Sequence, residues 1–407
     1  MLLSRRHVLL LPAAAAGCKR NHSSKRDLRP ADLRSQSWSE VEARARGTGV
    51  SFGMWGGDQE RNRLFRGSVA ETLKKRFDVA LTIVPFSDTV EAVNKLIDEK
   101  AVKSERKGSL DVLWINGENF RLAKEARVLW GPFGSALPNN NLYPATARAR
   151  DFGTEIDDFE APWQRAHFVF AYDSARLKQV PRSVPELLTW IRTHPGRFTH
   201  VPPPDFNGSA FVRHCLVHFA EGASMDRFDE SLYSRASAKA LAALRNASSF
   251  FWRQGETYPS TGRELDRLFA NQEVDFSMSY GPAFASVRIE RGEFPATTRT
   301  FVLQPGTLGN YNYLAIPFNS PNPSGALTTI NYLQSFESAV EFSRVLKTSF
   351  PLDLQLLTAS QREEVERLPR GVATLSDQEL SAHFLPEPHA EYLTRFEKDW
   401  REQVLRR

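Results

Sequence analysis

Asp111-Val112-Leu113-Trp114-Ile115-Asn116-Gly117-Glu118-Asn119-Phe120 changes character halfway along its length. From Val112 to Ile115 the run has no polar interruption, which predicts a parallel strand covered on both faces. Asn116-Gly117 can take positive φ and end that strand, and Glu118-Asn119 then opens a helix with Phe120, Leu122, Ala123 and Val128 as its apolar positions. A strand that turns straight into a helix leaves polar residues at the carboxyl edge of a sheet, where open α/β sheets hold ligands. In isolation the same pattern is an ordinary connection, so its meaning depends on whether other strands end alike.

They do. Val50 to Trp55 reads as the first strand and ends in Trp55-Gly56-Gly57-Asp58. The glycines allow close approach of backbone to a ligand, and Asp58 can cap a helix carrying Phe65, Val69, Leu73 and Phe77. Val79 to Val84 is the second strand, and Asp88 with Glu91 starts a helix with Val90, Val93, Leu96 and Ile97 inward. Three successive β-α units predict an open parallel sheet with right-handed crossovers. After a loop-rich stretch from Gly131 to Asp158, Glu160-Ala161-Pro162-Trp163 leads into the apolar strand Phe168 to Tyr172, a crossing into a second lobe. There, a strand at Phe198 to Val201 and a rigid turn at Pro202 to Pro204 precede Asp205-Phe206-Asn207-Gly208-Ser209, a helix start that offers backbone donors to an anion or carbonyl. Val274 to Met278 is a strand ending in Ser279-Tyr280-Gly281. Tyr311 to Ile316 returns the chain to the first lobe, and the remainder is helical to Tyr392–Val404.

At 407 residues the chain exceeds what one core usually supports. The predicted division is a signal peptide over 1–18, a tether over 19–35, the first part of lobe 1 over 36–163, lobe 2 over 164–310, and a return to lobe 1 with C-terminal helices over 311–407. A formal net charge of +5 without a concentrated basic stripe argues against nucleic acid as a partner. Ser4-Arg5-Arg6-His7-Val8 resembles a twin-arginine export signal, and the apolar stretch Val8 to Gly17 is too short to span a bilayer. Ala15-Ala16-Gly17-Cys18 resembles a lipobox, although Ala15 stands where Leu is usual, so lipidation of Cys18 is expected, with a soluble exported protein cut nearby as the alternative. Cys215 is the only other cysteine, which leaves no intramolecular disulfide in the mature chain.

Trp55-Gly56-Gly57, Asp111 through Phe120, Gly131-Pro132-Phe133 and Glu160-Ala161-Pro162-Trp163, with the pattern downstream, resemble the extracytoplasmic solute-binding proteins of bacterial ABC importers, most closely the YnjB-like group assigned to thiamine import. The resemblance covers most of the mature chain. It implies a type II periplasmic-binding fold, an α/β protein of two lobes that close on a ligand, with each lobe expected to be an open, mostly parallel sheet flanked by helices. It implies a receptor that delivers a small solute to a membrane permease, here thiamine or a related heterocyclic or cationic compound; the export signal and lipobox-like end lead to the expectation of a periplasmic or cell-envelope protein anchored through Cys18.

The strand ends and the crossing segments nominate Trp55, Gly56, Gly57, Asn116, Gly117, Glu118, Asn119, Trp163, Gly208, Ser209, Tyr280 and Tyr311 as the ligand site. Aromatic rings there could stack on a flat or cationic ligand, and Glu118 could supply countercharge. His214 and His218 have helical spacing but apolar neighbours and no companion metal motif, so no metal is expected. With no G-x-S-x-G elbow and no P-loop, no catalytic residue is assigned, and no cofactor. A monomer is expected. Two alternatives stand beside this reading. One is a ferric-ion or oxyanion receptor, resting on the Ser209 helix start and Tyr280, and the other is an enzyme exported by the twin-arginine route.

Overall fold

The computed structural model describes residues 28–102 and 108–405. The signal sequence, Cys18 and most of the expected tether therefore lie outside the described residues.

The first lobe is built on Thr48–Trp55, which pairs in parallel with Val79–Phe86 on one side and Val112–Ile115 on the other. Val50, Phe52 and Met54 alternate into a core shared with Phe65, Val69 and Leu73 from the following helical run, as the period-2 and helical spacings dictate. Asp111 ties the third strand in place: its carboxylate accepts the Ser51 N–H at 2.8 Å, the Ser320 hydroxyl at 2.8 Å and the Asn322 N–H at 2.9 Å. Asp88 caps the Thr89–Ala101 helix as expected, but Val90, expected inward, is exposed.

Two long strands then join the lobes. Glu160–His167, expected only as a connector, leaves the first lobe as a strand antiparallel to Thr307–Pro317, which returns. Thr307–Pro317 also runs antiparallel to Val112–Ile115, so the seven-stranded first sheet is mixed.

The second sheet corrects the expectation of a mostly parallel one. Val169–Asp173 is its centre and is antiparallel to both neighbours, Ser277–Ser279 and Thr298–Phe301. The reason lies in the connections: Val169–Asp173 continues the outgoing crossing strand away from the seam, whereas its neighbours run back toward it. Phe198 to Val201 forms no strand. It makes isolated backbone bonds, Asp275 N–H to Arg197 at 2.8 Å and Trp252 N–H to Phe198 at 2.7 Å, and runs into three prolines that cannot donate to a ladder.

Helices Pro323–Leu333 and Phe336–Leu346 pack Leu327, Ile330, Leu333 and Phe342 into the first core, as the return to lobe 1 requires. The last helix does not follow them. Tyr392, Phe396, Trp400 and, just beyond Ala390–Trp400, Val404 lie in one core with Phe168, Phe198, Leu216 and Leu244 of the second lobe. The chain therefore crosses a third time, near Gly371–Thr374, where Ala373 is buried in the second core and the Thr374 hydroxyl meets Ser286 at 2.8 Å. The boundary at 311–407 is thus corrected by side-chain burial: large apolar residues at helical spacing fill the second core. At the other end Leu28 and Leu33 are buried in the first core, so the expected tether stops short of them.

Candidate ligand site between the lobes

On the first lobe, the turn after Thr48–Trp55 is clamped from both sides. Gly56 N–H donates to Phe86 at 2.8 Å, and the Asn62 side chain donates to the Gly56 carbonyl at 2.8 Å. The Trp55 ring, 46% exposed, lies over Gly57, where a Cβ would sit 2.2 Å from the indole. Asp58 caps the next helix by accepting the Arg61 N–H at 3.1 Å and pairs with the same residue's Nε at 3.2 Å. At the end of Val112–Ile115, Gly117 takes φ +60°, the left-handed turn its sequence allows, and its N–H donates to the buried Asp151 carboxylate. Asn116 and Asn119 flank this turn half-buried, and Glu118 is exposed from it.

The crossing strands form the back of the seam. Pairing Asn310 with Ala166 and Asn312 with Gln164 puts these four side chains on one face, while Tyr311 pairs with Arg165 on the other. Asn312 accepts the Trp114 indole N–H at 3.3 Å. The Arg61 guanidinium donates to Gln164 and lies 5.3 Å from the Trp114 ring centre and 6.0 Å from that of Trp163. Burial pulls the Arg61 pKa down, and Asp58 opposes that shift.

The second lobe meets the seam at the start of Phe206–Phe219. Asp205 caps it through the N–H groups of Asn207 at 3.0 Å and Gly208 at 2.9 Å, and Asn207 accepts the Tyr280 N–H at 2.8 Å. Phe206 is 41% exposed and packs 4.7 Å from the Tyr280 ring. Arg213, one helical turn after Ser209, is fully buried. It donates to both Glu387 oxygens at 2.9 and 3.1 Å, to the Ser209 hydroxyl at 2.6 Å and to the Tyr280 hydroxyl at 3.1 Å.

Across the seam, Arg121 pairs with Glu391 at 3.3 Å, Ala390 N–H donates to Phe152 at 2.9 Å, and Glu60 pairs with Arg291 at 2.8 Å. Glu118 approaches Thr394 at 3.5 Å. The protein surrounding the Glu118 carboxyl pushes its pKa up although the residue is exposed, and Arg213 pulls it back. Burial likewise raises Glu397, the Ser209 hydroxyl and Arg213 lower it, and Glu118 adds a further push upward.

The expected site residues divide accordingly. Trp55, Gly56 and Gly57 form one cluster, Asn116 to Asn119 a second, and Ser209 with Tyr280 a third around Arg213. Trp163 does not border a cleft. It is fully buried between Phe65 at 5.7 Å, Trp114 at 5.5 Å and Phe342 at 5.4 Å, because the bulge at this point of the crossing strand turns it into the first core. Tyr311 packs toward Tyr143 at 6.4 Å. Gly208 is accounted for by packing, since a Cβ there would fall 1.7 Å from the Val201 carbonyl oxygen. His214 is held by structural bonds: its Nδ1 bonds the Ala210 carbonyl at 2.7 Å and its Nε2 accepts the Leu308 N–H of the returning strand at 2.9 Å.

Sequence reasoning missed Arg61, Gln164, Asn310, Asn312, Phe206 and Arg213. Arg213 inside Phe211-Val212-Arg213-His214-Cys215-Leu216, and Asn312 inside the expected strand Tyr311 to Ile316, were visible signals, since a charge in an apolar run and asparagine in a strand both need a reason, whereas Asn310 lies outside that expected strand.

Two α/β lobes joined by long antiparallel strands, with strand ends and helix starts meeting at the seam, define a periplasmic-binding-type solute receptor. Residues 68–353 match the bacterial extracellular solute-binding protein family, and the chain belongs to it. It is similar to Protein YnjB of Escherichia coli (strain K12), with 30% identity over 372 residues, covering 90% of this chain and 93% of that protein. Its fold is shared by an ABC transporter structure from Clostridium perfringens (TM-score 0.64, 15% identity, 88% of this chain and 99% of that one). The Tp0655 (TpPotD) lipoprotein of Treponema pallidum shares it too (TM-score 0.63, 14% identity, 88% and 100%). The protein is thus an exported, extracellular solute-binding protein.

Proposed function

We propose that the solute is a cationic, flat molecule, thiamine or a related heterocycle, held between the lobes by Glu118 and Glu397 and stacked on the exposed rings of Trp55 and Phe206. The observation that carries this reading is the pair of carboxylates, one from each lobe, on the two sides of one seam. Two like charges brought together in a desolvating cleft oppose closure, and a cation between them removes that opposition, so closure and capture become one event. The groups that would favour an anion are already engaged within the protein. The first N–H groups of the Phe206–Phe219 helix are taken by Asp205, the Ser209 hydroxyl donates to Glu397, and the Arg213 guanidinium is paired with Glu387.

Asn116, Gly117 and Asn119 position Glu118, and Gly56 and Gly57 hold Trp55 in place. Calorimetric titration with thiamine tests the reading: Glu118→Gln should weaken binding about tenfold or more, an effect that added salt diminishes. Unchanged affinity in Glu118→Gln, or no binding of thiamine and of other organic cations by the wild type, overturns it. The receptor is further proposed to act as a monomer, tethered to the membrane through lipidated Cys18. Cys18→Ala should move it from the membrane to the soluble exported fraction, and a wild type already soluble and free of lipid removes the anchor.

A further inference from the structure

The crossing strands carry polar atoms that the protein leaves without partners. Asn310 is 7% exposed, and neither its amide oxygen nor its amide nitrogen has a hydrogen-bond partner. Gln164 is 3% exposed; its oxygen accepts from Arg61 and its nitrogen has no partner. A buried amide without partners is unfavourable in any fold, and leucine at the same position would pack without that penalty.

Their place in the chain shows what they face. Two residues before Asn310, Leu308 bonds His214 of the second lobe, and two residues after it, Asn312 bonds Trp114 of the first. On the partner strand, His167 N–H donates to Tyr280 of the second lobe at 3.1 Å, whereas Gln164 is held by Arg61 of the first. Asn310 and Gln164 therefore share one face of the crossing strands, at the level where one lobe gives way to the other.

We propose that Asn310 and Gln164 form a subsite that reads a neutral donor-acceptor edge of the ligand, such as an amide or an aminopyrimidine. The proposal rests on the reading of the seam as the ligand site and adds a second recognition element to it. A primary amide offers both donors and an acceptor in one plane, which matches an edge that alternates N–H and ring nitrogen. An anion is disfavoured because the nearby Arg61 is already paired with Asp58, and a hard metal ion because no free carboxylate belongs to this group. Glu118 then takes the charged part of the solute and the amide pair its uncharged edge.

The test uses a neutral probe, 4-amino-2-methylpyrimidine, with full-length mature protein labelled with nitrogen-15 in its Asn and Gln side chains. The probe should shift the side-chain NH2 signals of Asn310 and Gln164, identified by their loss in Asn310→Ala and Gln164→Ala. Each variant should weaken the probe about tenfold, as should removal of the exocyclic amine from the probe in the wild type. Asn310→Leu should lose the probe while melting at the same or a higher temperature, which separates ligand reading from a structural role. Absence of probe binding, or binding that moves neither signal, overturns the subsite. Probe binding by the wild type together with an unaltered thiamine affinity in Glu118→Gln counts against the cationic reading alone.

Discussion

Arg213 is the residue on which the second lobe's edge of the seam depends. A fully buried guanidinium with two bonds to Glu387 is stable only as a pair, since removing one member leaves the other's charge uncompensated. Arg213→Met is expected to lower stability by about 3–5 kcal/mol in urea unfolding, and Arg213→Met with Glu387→Leu should recover much of that loss. The buried histidines make a second prediction. Burial holds His167 and His214 down at about 3 and His200 at about 4, so all three are neutral in the folded protein at neutral pH. The unfolded chain protonates them near pH 6.5, so their contribution is complete above that pH and is lost as pH falls toward 3 to 4. At pH 5 each lowers stability by about 2 kcal/mol, while carboxyls raised by burial, such as Asp151 and Glu160, act in the opposite direction. The difference between wild type and His214→Gln, measured by urea unfolding at pH 7.5 and 5.0, isolates the histidine: the variant should lose less stability on acidification.

At the scale of elements, two glycines that look alike in the sequence separate. Gly208→Ala would drive a methyl into the Val201 carbonyl, whereas Gly281→Ala meets nothing nearer than the Ser279 hydroxyl at 3.5 Å. The first should cost about 3 kcal/mol or more and the second less than about 0.5 kcal/mol, read as a shift in melting temperature. Both glycines follow an aromatic and a polar residue, so local sequence does not distinguish them; only the chain folded back from Val201 does. The same limit governs the strands. Val112–Ile115 was legible because an unbroken apolar run ends in turn residues, and Thr48–Trp55 because Val50, Phe52 and Met54 alternate up to a pair of glycines. Glu160–His167 was not, because Pro162, Gln164 and Arg165 break the alternation, and its pairing comes from Thr307–Pro317 far along the chain. Phe198 to Val201 has strand composition but lacks a donor-bearing continuation. At the candidate site, the strand ends are marked in the sequence by glycine, while Asn310 and Gln164 depend on which face of a crossing strand meets the seam.

Across the whole molecule, the cores are interleaved along the chain. The first needs Leu28 and Phe342, and the second needs Phe168 and Trp400. Ending the chain after Glu387 would remove Tyr392, Phe396 and Trp400 from the second core, each worth roughly 1.5–3 kcal/mol of burial. Such a truncation is expected to leave the second lobe unfolded and the protein largely insoluble on expression, rather than merely shortened; a soluble product with wild-type hydrogen-exchange protection in Phe206–Phe219 would contradict this. Because its closing helix follows the whole return to the first lobe in chain order, the second lobe cannot complete itself until that return has been synthesised. The order of emergence therefore makes folding of this lobe a test that a full-length polypeptide passes and a prematurely terminated one does not.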